Sequence, residues 1–221
     1  MKLRLMLAEF IGTFALIFIS VGAIVSDHLT NGAVGLTGIA IASGFAYAVM
    51  VTATAAISGG HLNPAVSFGM LVSGNMSLID FVGYVVAQCL GALAASSLLM
   101  SAVSPLDLDA VNYGIPAVGE SATAGMAATT EIVLAFLLVF VIFGTMIDKR
   151  APKLGGLFVG LALAIGIFMG GPISGAAVNP VRWLGPAVIS GDYLDAWVYW
   201  VGPCAGSALA AIMYSTVLQE K

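Results

Sequence analysis

The sequence predicts an all-α membrane protein: six transmembrane helices plus two half-helices, set out as an inverted three-span repeat. Three observations carry this prediction. Of the 221 residues, 60% are hydrophobic and 8% charged, and the mean hydropathy is +1.07, far from the balance of a soluble domain. Six apolar stretches each approach the ~20 residues that a helix needs to cross a ~30 Å hydrocarbon layer. One short phrase is also written twice, as SGGHLNPAV from Ser58 to Val66 and as SGAAVNPV from Ser174 to Val181.

Span one is placed at 4–25. Lys2 and Arg4 precede it as in a secretory signal, but the apolar run is longer than an h-region and contains Glu9, so it is read as a retained helix. Spans two to six follow at 35–56, 79–101, 126–147, 155–172 and 193–217. An even number of spans puts both termini on one side. Six of the seven basic residues (Lys2, Arg4, Lys149, Arg150, Lys153 and Lys221) fall on that side, which the positive-inside rule makes cytoplasmic. The seventh, Arg182, stands within apolar sequence, where a charge is a functional lead. A net charge of −4 argues against a nucleic-acid partner. Cys89 and Cys204 fall in spans three and six without metal or redox spacing and are read as packing residues, so no metal or other cofactor is expected.

The doubled phrase belongs to a longer internal similarity. At an offset of 122, Glu9 matches Glu131, Gly38 matches Gly160 and Gly44 matches Gly166. At 116, Ser58, Gly59, Asn63 and Pro64 match Ser174, Gly175, Asn179 and Pro180; at 115, Tyr84 and Gly91 match Tyr199 and Gly206. A duplicated three-span unit explains these matches. The chain then reads as one channel domain, 1–221, with repeats near 1–101 and 126–221 joined by a loop, 102–125. Three is odd, so the second copy enters the membrane from the opposite face. After each Asn comes Pro and about ten apolar residues ending at Ser-Gly, enough helix for only ~15 Å. Asn is a favoured N-cap and Pro is favoured at the first helical position, so each stretch is read as half a span. The irregular backbone before each Asn is tolerable at membrane depth only if it is buried in protein or lines a water-filled cavity.

In these residues the chain resembles the aquaporin family, also called major intrinsic proteins. The resemblance rests on the signatures Asn63-Pro64-Ala65 and Asn179-Pro180-Val181 with their flanking Ser-Gly, on the early Glu in spans one and four, on YVVAQCLGA in span three and on NPVRWLGPA after the second loop. It implies a homotetramer embedded in membrane lipid, one pore per subunit, passing water and small neutral solutes; the expected location is the plasma membrane. The family's second signature usually ends in Ala. Val181 in its place is expected on the packing side of the half-helix, altering loop spacing without loss of function. Arg182 matches the family's outer-constriction arginine, and spacing from each Asn carries the other constriction positions to Ser43, Ile167 and Ala176. Many water-selective members have Phe and His at the first two of these. The resemblance therefore implies a wider, less polar constriction, similar to that of plant channels for glycerol-sized and metalloid solutes. Ala187 and the pair Tyr199-Trp200 resemble the water-selective pattern instead, so a strictly water-selective channel stays open.

Two half-helices meeting N-terminus to N-terminus place partly positive dipole ends at the pore centre and repel cations there. Asn63 and Asn179 are expected to cap backbone N–H groups through oxygen and to offer NH₂ donors to the lumen. Glu9 and Glu131 have two readings. Either each accepts N–H groups from the loop of its own repeat, or they couple transport to protons, which makes the protein a secondary transporter. His61 either lines the pore, through its ring or its carbonyl, or gates it by pH. No reaction chemistry is visible, so an enzyme is not expected.

Overall fold

A computed structural model describes residues 3–150 and 154–219. Lys2, Lys153 and Lys221, three of the residues used to orient the chain, lie outside them. Every regular element among the described residues is helical, with no strand. The spans are α1 (Leu3–Leu29), α2 (Gly35–Ser58), α4 (Leu78–Ala102), α6 (Ala124–Ile142), α7 (Gly155–Ser174) and α9 (Ala196–Met213), with α6 and α9 each prolonged by one π-turn, Phe143–Ile147 and Tyr214–Leu218. Two shorter helices, α3 (Pro64–Val72) and α8 (Pro180–Ser190), open directly after Asn63 and Asn179. Each span is long and apolar enough to cross a membrane, and α3 and α8, at 9 and 11 residues, reach only about halfway.

Polar caps set where α4 and α6 begin. The Ser77 hydroxyl accepts from Asp80 N at 3.1 Å, and Thr123 accepts from Met126 N at 3.2 Å. The bundle is then closed by glycines at helix crossings, where backbones approach too closely for any Cβ, as small residues allow between membrane helices. A Cβ on Gly44 of α2 would lie 2.6 Å from the Gly160 carbonyl of α7. Gly91 sets α4 against Phe10 of α1, and its repeat partner Gly206 sets α9 against Ile132 of α6 in the same way. The half-helices cross over between units: α3 packs on α9, and α8 packs on α4. That exchange is what a twofold relation between two three-span units produces.

The segment 102–125, expected as a loop, is folded instead. It carries α5 (Pro105–Ala110), capped by Ser104, and a 3₁₀ turn, Asn112–Gly114. It is also tied to the bundle: Gly119 N donates to the Ile173 carbonyl at 2.9 Å, and the Gly114 carbonyl accepts from Arg182. Six residues of short helix and a single turn carry too little periodicity to announce themselves in sequence.

At the opposite end of the molecule the α6–α7 turn is fastened to the C-terminal π-turn. Asp148 accepts from Arg150 through both the backbone N–H and the guanidinium (Nη2 at 2.6 Å) and from the Tyr214 hydroxyl at 3.3 Å, while Arg150 also donates to the Leu218 carbonyl. The Arg150 hydrogen bonds hold the Asp148 carboxyl well below the usual carboxylate range. A depressed carboxyl contributes stability that is fully present above its ordinary value near 4 and is lost progressively as pH falls from there through the lowered one. Hydrogen-exchange protection of Tyr214–Leu218, corrected for intrinsic rates, is therefore expected to be flat from about pH 8 to about pH 5. It should fall in Asp148→Asn. Protection that drops across that range in the wild type would contradict this assignment.

Candidate functional site

The two doubled phrases fold into matching loops. Gly59 and Gly175 end α2 and α7 in the left-handed region, at φ 90° and 75°. Gly60 and Ala176 follow at 64° and 46°, and Leu62 and Val178 at 53° and 54°. Left-handed backbone is unfavourable at Ala176 and a marked outlier at β-branched Val178, costing on the order of 1–3 kcal/mol each. The surrounding hydrogen bonds hold it.

Those bonds come from the buried carboxylates. Glu9 accepts from the Ser58 hydroxyl at 2.6 Å, from His61 N at 3.0 Å, from Leu62 N at 2.6 Å and from Gln88 Nε2 at 2.8 Å. Glu131 accepts from the Ser174 hydroxyl at 2.7 Å, from Ala177 N at 2.9 Å and from Val178 N at 2.6 Å. Both are fully buried. Burying a carboxylate is costly unless its oxygens are hydrogen-bonded, and here each carboxylate collects donors that the left-handed turns would otherwise leave unpaired in the membrane. Gln88 has no counterpart in the second unit, where its place is taken by Pro203.

The asparagines join the two loops to each other. Asn63 Oδ1 accepts from Ala65 N at 2.8 Å and Asn179 Oδ1 from Val181 N at 3.1 Å, capping α3 and α8. Asn63 Nδ2 donates across to the Val178 carbonyl at 2.9 Å, and Asn179 Nδ2 donates back to the Leu62 carbonyl at 3.0 Å. Sequence reasoning assigned the NH₂ groups to the lumen alone. In the fold each spends one hydrogen on the opposite loop and keeps one.

Asn63, Asn179, Ser43, Ile167, Ala176 and Arg182 all line one narrow cavity of about 50 Å³. Six residues drawn from five segments of the chain meet there. The Arg182 Nη1 donates to the Gly114 carbonyl at 2.7 Å, fixing the guanidinium over that end of the cavity and leaving its other N–H donors for a solute. Pro64, Ala65, Pro180 and Val181 are buried in packing, Val181 within the main apolar core. Glu9 and Glu131 stand behind the loops and do not line the cavity.

His61 is committed on both sides. Its ring Nδ1 pairs with the Ser67 hydroxyl at 3.0 Å and packs edge-on to Tyr84, while its carbonyl accepts from the Tyr47 hydroxyl at 2.9 Å. The ring is not among the groups lining the cavity. Tyr47 is one of them, and sequence reasoning missed it because a lone tyrosine in an apolar span reads as packing. Its spacing from Ser43, four residues on the same helix, was the available signal. Among the described residues no three His, Cys, Asp or Glu side chains gather as a metal site.

The chain matches known proteins along nearly its whole length. A family profile described as Major intrinsic protein covers residues 1–214. Aquaporin TIP2-3 of Arabidopsis thaliana is 41% identical over 226 aligned positions, spanning 98% of this chain and 88% of the relative. Aquaporin TIP4-4 of Zea mays is 40% identical over 220, spanning 96% and 85%. The X-ray structure of the aquaglyceroporin from Plasmodium falciparum superposes with a TM-score of 0.88 at 26% identity, covering 99% of this chain and 97% of that one.

Proposed function

The chain belongs to the major intrinsic protein family, and from that membership we propose a passive pore that conducts water and small uncharged solutes of glycerol or metalloid-hydroxide size while excluding protons and other ions. It is a multi-pass membrane channel of the water and small-solute class and not an enzyme. One observation supports the solute range and the exclusion of ions. The cavity that gathers Ser43, Ile167, Ala176 and Arg182 runs to the point where two helix N-termini are bonded crosswise through Asn63 and Asn179.

The mechanism follows from that geometry. Each half-helix brings about half a positive charge to the junction, in surroundings of low dielectric, so a cation meets a barrier there. The remaining N–H of each asparagine can donate to a passing water, which then accepts from both and turns its own hydrogens away in opposite directions. A continuous proton wire is interrupted at that water. Arg182 adds a fixed charge and free donors at the cavity's far end. We assign Glu9, Glu131 and His61 to loop support. Four donors fill the Glu9 carboxylate and three engage both oxygens of Glu131, which favours support over proton coupling.

The same reading takes 1–221 as one channel domain with units near 1–101 and 126–221, assembled as a homotetramer. Both termini are placed on the cytoplasmic side of the plasma membrane, so that Arg4, Lys149 and Arg150 face the cytoplasm and the Arg182 end of the cavity is outermost. Ser43 at the constriction supports the broader solute range, since a bulkier or more polar side chain there narrows the pore. Proteoliposomes shrunk osmotically with a panel of neutral solutes test this. Glycerol or boric acid should enter faster than into empty vesicles. Water entry alone exceeding the empty-vesicle rate would leave a strictly water-selective channel.

A further inference from the structure

The geometry points to Tyr47 as a second selectivity element, placed one helical turn inward of Ser43 at the level of the asparagines. The inference rests on the channel reading above and names the residue that ranks its solutes by size. Ile39, Ser43 and Tyr47 recur every fourth residue on α2 and all line the cavity, so they form one stripe along the conduit, with Tyr47 about 6 Å deeper than Ser43. Small Ser43 leaves the outer level open; Tyr47 puts a full aromatic ring into the next.

Two further observations locate the narrowing at that ring. The Tyr47 hydroxyl is pinned to the His61 carbonyl at 2.9 Å, so the ring is held in place and not free to swing. Beyond it the cavity stops: Val51, Ile142 and Val159 are packed in the core, and the cleft at the α6–α7 end, lined by Thr52, Ala55 and Thr145 among the described residues, shares no lining residue with the cavity.

The hydroxyl also changes the chemistry of the wall. A bare His61 carbonyl would accept hydrogen bonds from a permeating molecule. Tyr47 occupies one side of that acceptor and adds its own oxygen lone pairs beside it. A water molecule can bond to that oxygen and pass, while a solute with several carbons must pass the ring edge as well. The outer constriction therefore sets charge and entry, and Tyr47 sets the ratio of larger solutes to water.

The test is stopped-flow entry of water, urea and glycerol into proteoliposomes holding the full chain as wild type, Tyr47→Phe, Tyr47→Leu or Tyr47→Val. Tyr47→Val and Tyr47→Leu are expected to raise the glycerol-to-water ratio by about fivefold or more, equivalent to about 1 kcal/mol off the solute's barrier. Tyr47→Phe keeps the ring and should leave the ratio within about twofold. Water flux in each variant reports an intact pore, and either truncation suffices if the other fails to fold. A ratio unchanged in a truncated variant that still conducts water overturns the role of Tyr47 and leaves the channel reading standing. A wild type no more water-permeable than empty vesicles overturns the channel reading itself.

Discussion

Glu131→Ala is expected to abolish water flux and to destabilise the protein severely. The substitution removes the acceptor for Ala177 N, Val178 N and the Ser174 hydroxyl, all buried at membrane depth. Each stranded donor costs about 1–3 kcal/mol, so the sum is on the order of 3 kcal/mol or more. The strained left-handed turns at Ala176 and Val178 then lose what holds them. Glu131→Gln keeps one carbonyl oxygen for two of these donors and is expected to fall between the alanine variant and the wild type. Thermal unfolding in detergent, read beside vesicle swelling, checks both. An alanine variant with wild-type flux and melting would contradict the supporting role and return Glu131 to the candidates for proton coupling.

Arg182→Val is expected to keep water flux yet let protons or small cations through. A unit charge about 4 Å from a permeating cation costs about 4 kcal/mol at an effective dielectric near 20, a factor of several hundred or more in rate. Water in the mouth makes that an upper bound. The half-helix dipoles remain in the variant, so leakage should be partial, and Asn63→Asp or Asn179→Asp should add to it by placing negative charge at the junction. The Gly114 carbonyl also loses its donor, which loosens the connecting segment over that end of the cavity. Proton flux read with a pH-sensitive dye under a clamped potential decides the matter. A variant that conducts water and stays proton-tight confines Arg182 to solute selection.

How much of this was legible in the sequence varies with the physics involved. The spans could be read because crossing a membrane demands long apolar helices, and the six spanning helices begin within three residues of the expected positions. The asparagine caps could be read because Asn-Pro is a local signal that needs no tertiary partner. Partners far along the chain could not. The pairing of Arg182 with Gly114 crosses 68 residues, and the reciprocal bonds from Asn63 to Val178 and from Asn179 to Leu62 cross 115 and 117. The left-handed turns at Leu62, Ala176 and Val178 were also hidden, since without glycine nothing in the local sequence marks them. His61 illustrates the same limit. Its residue type suggested a pore-lining ring or carbonyl, or a pH gate, whereas Ser67 and Tyr84 hold the ring and the Tyr47 hydroxyl donates to the carbonyl.

The central claim is that water crosses a junction that protons cannot. It is tested most directly by measuring both fluxes in one preparation: proteoliposomes loaded with a pH-sensitive dye, with swelling followed by light scattering and proton entry by fluorescence under a clamped potential. The account predicts water permeability well above that of empty vesicles, linear in the osmotic gradient and indifferent to a pH gradient, with proton entry no faster than in empty vesicles. Proton entry that rises with the amount of protein, or solute uptake that saturates and follows the proton gradient, would contradict it.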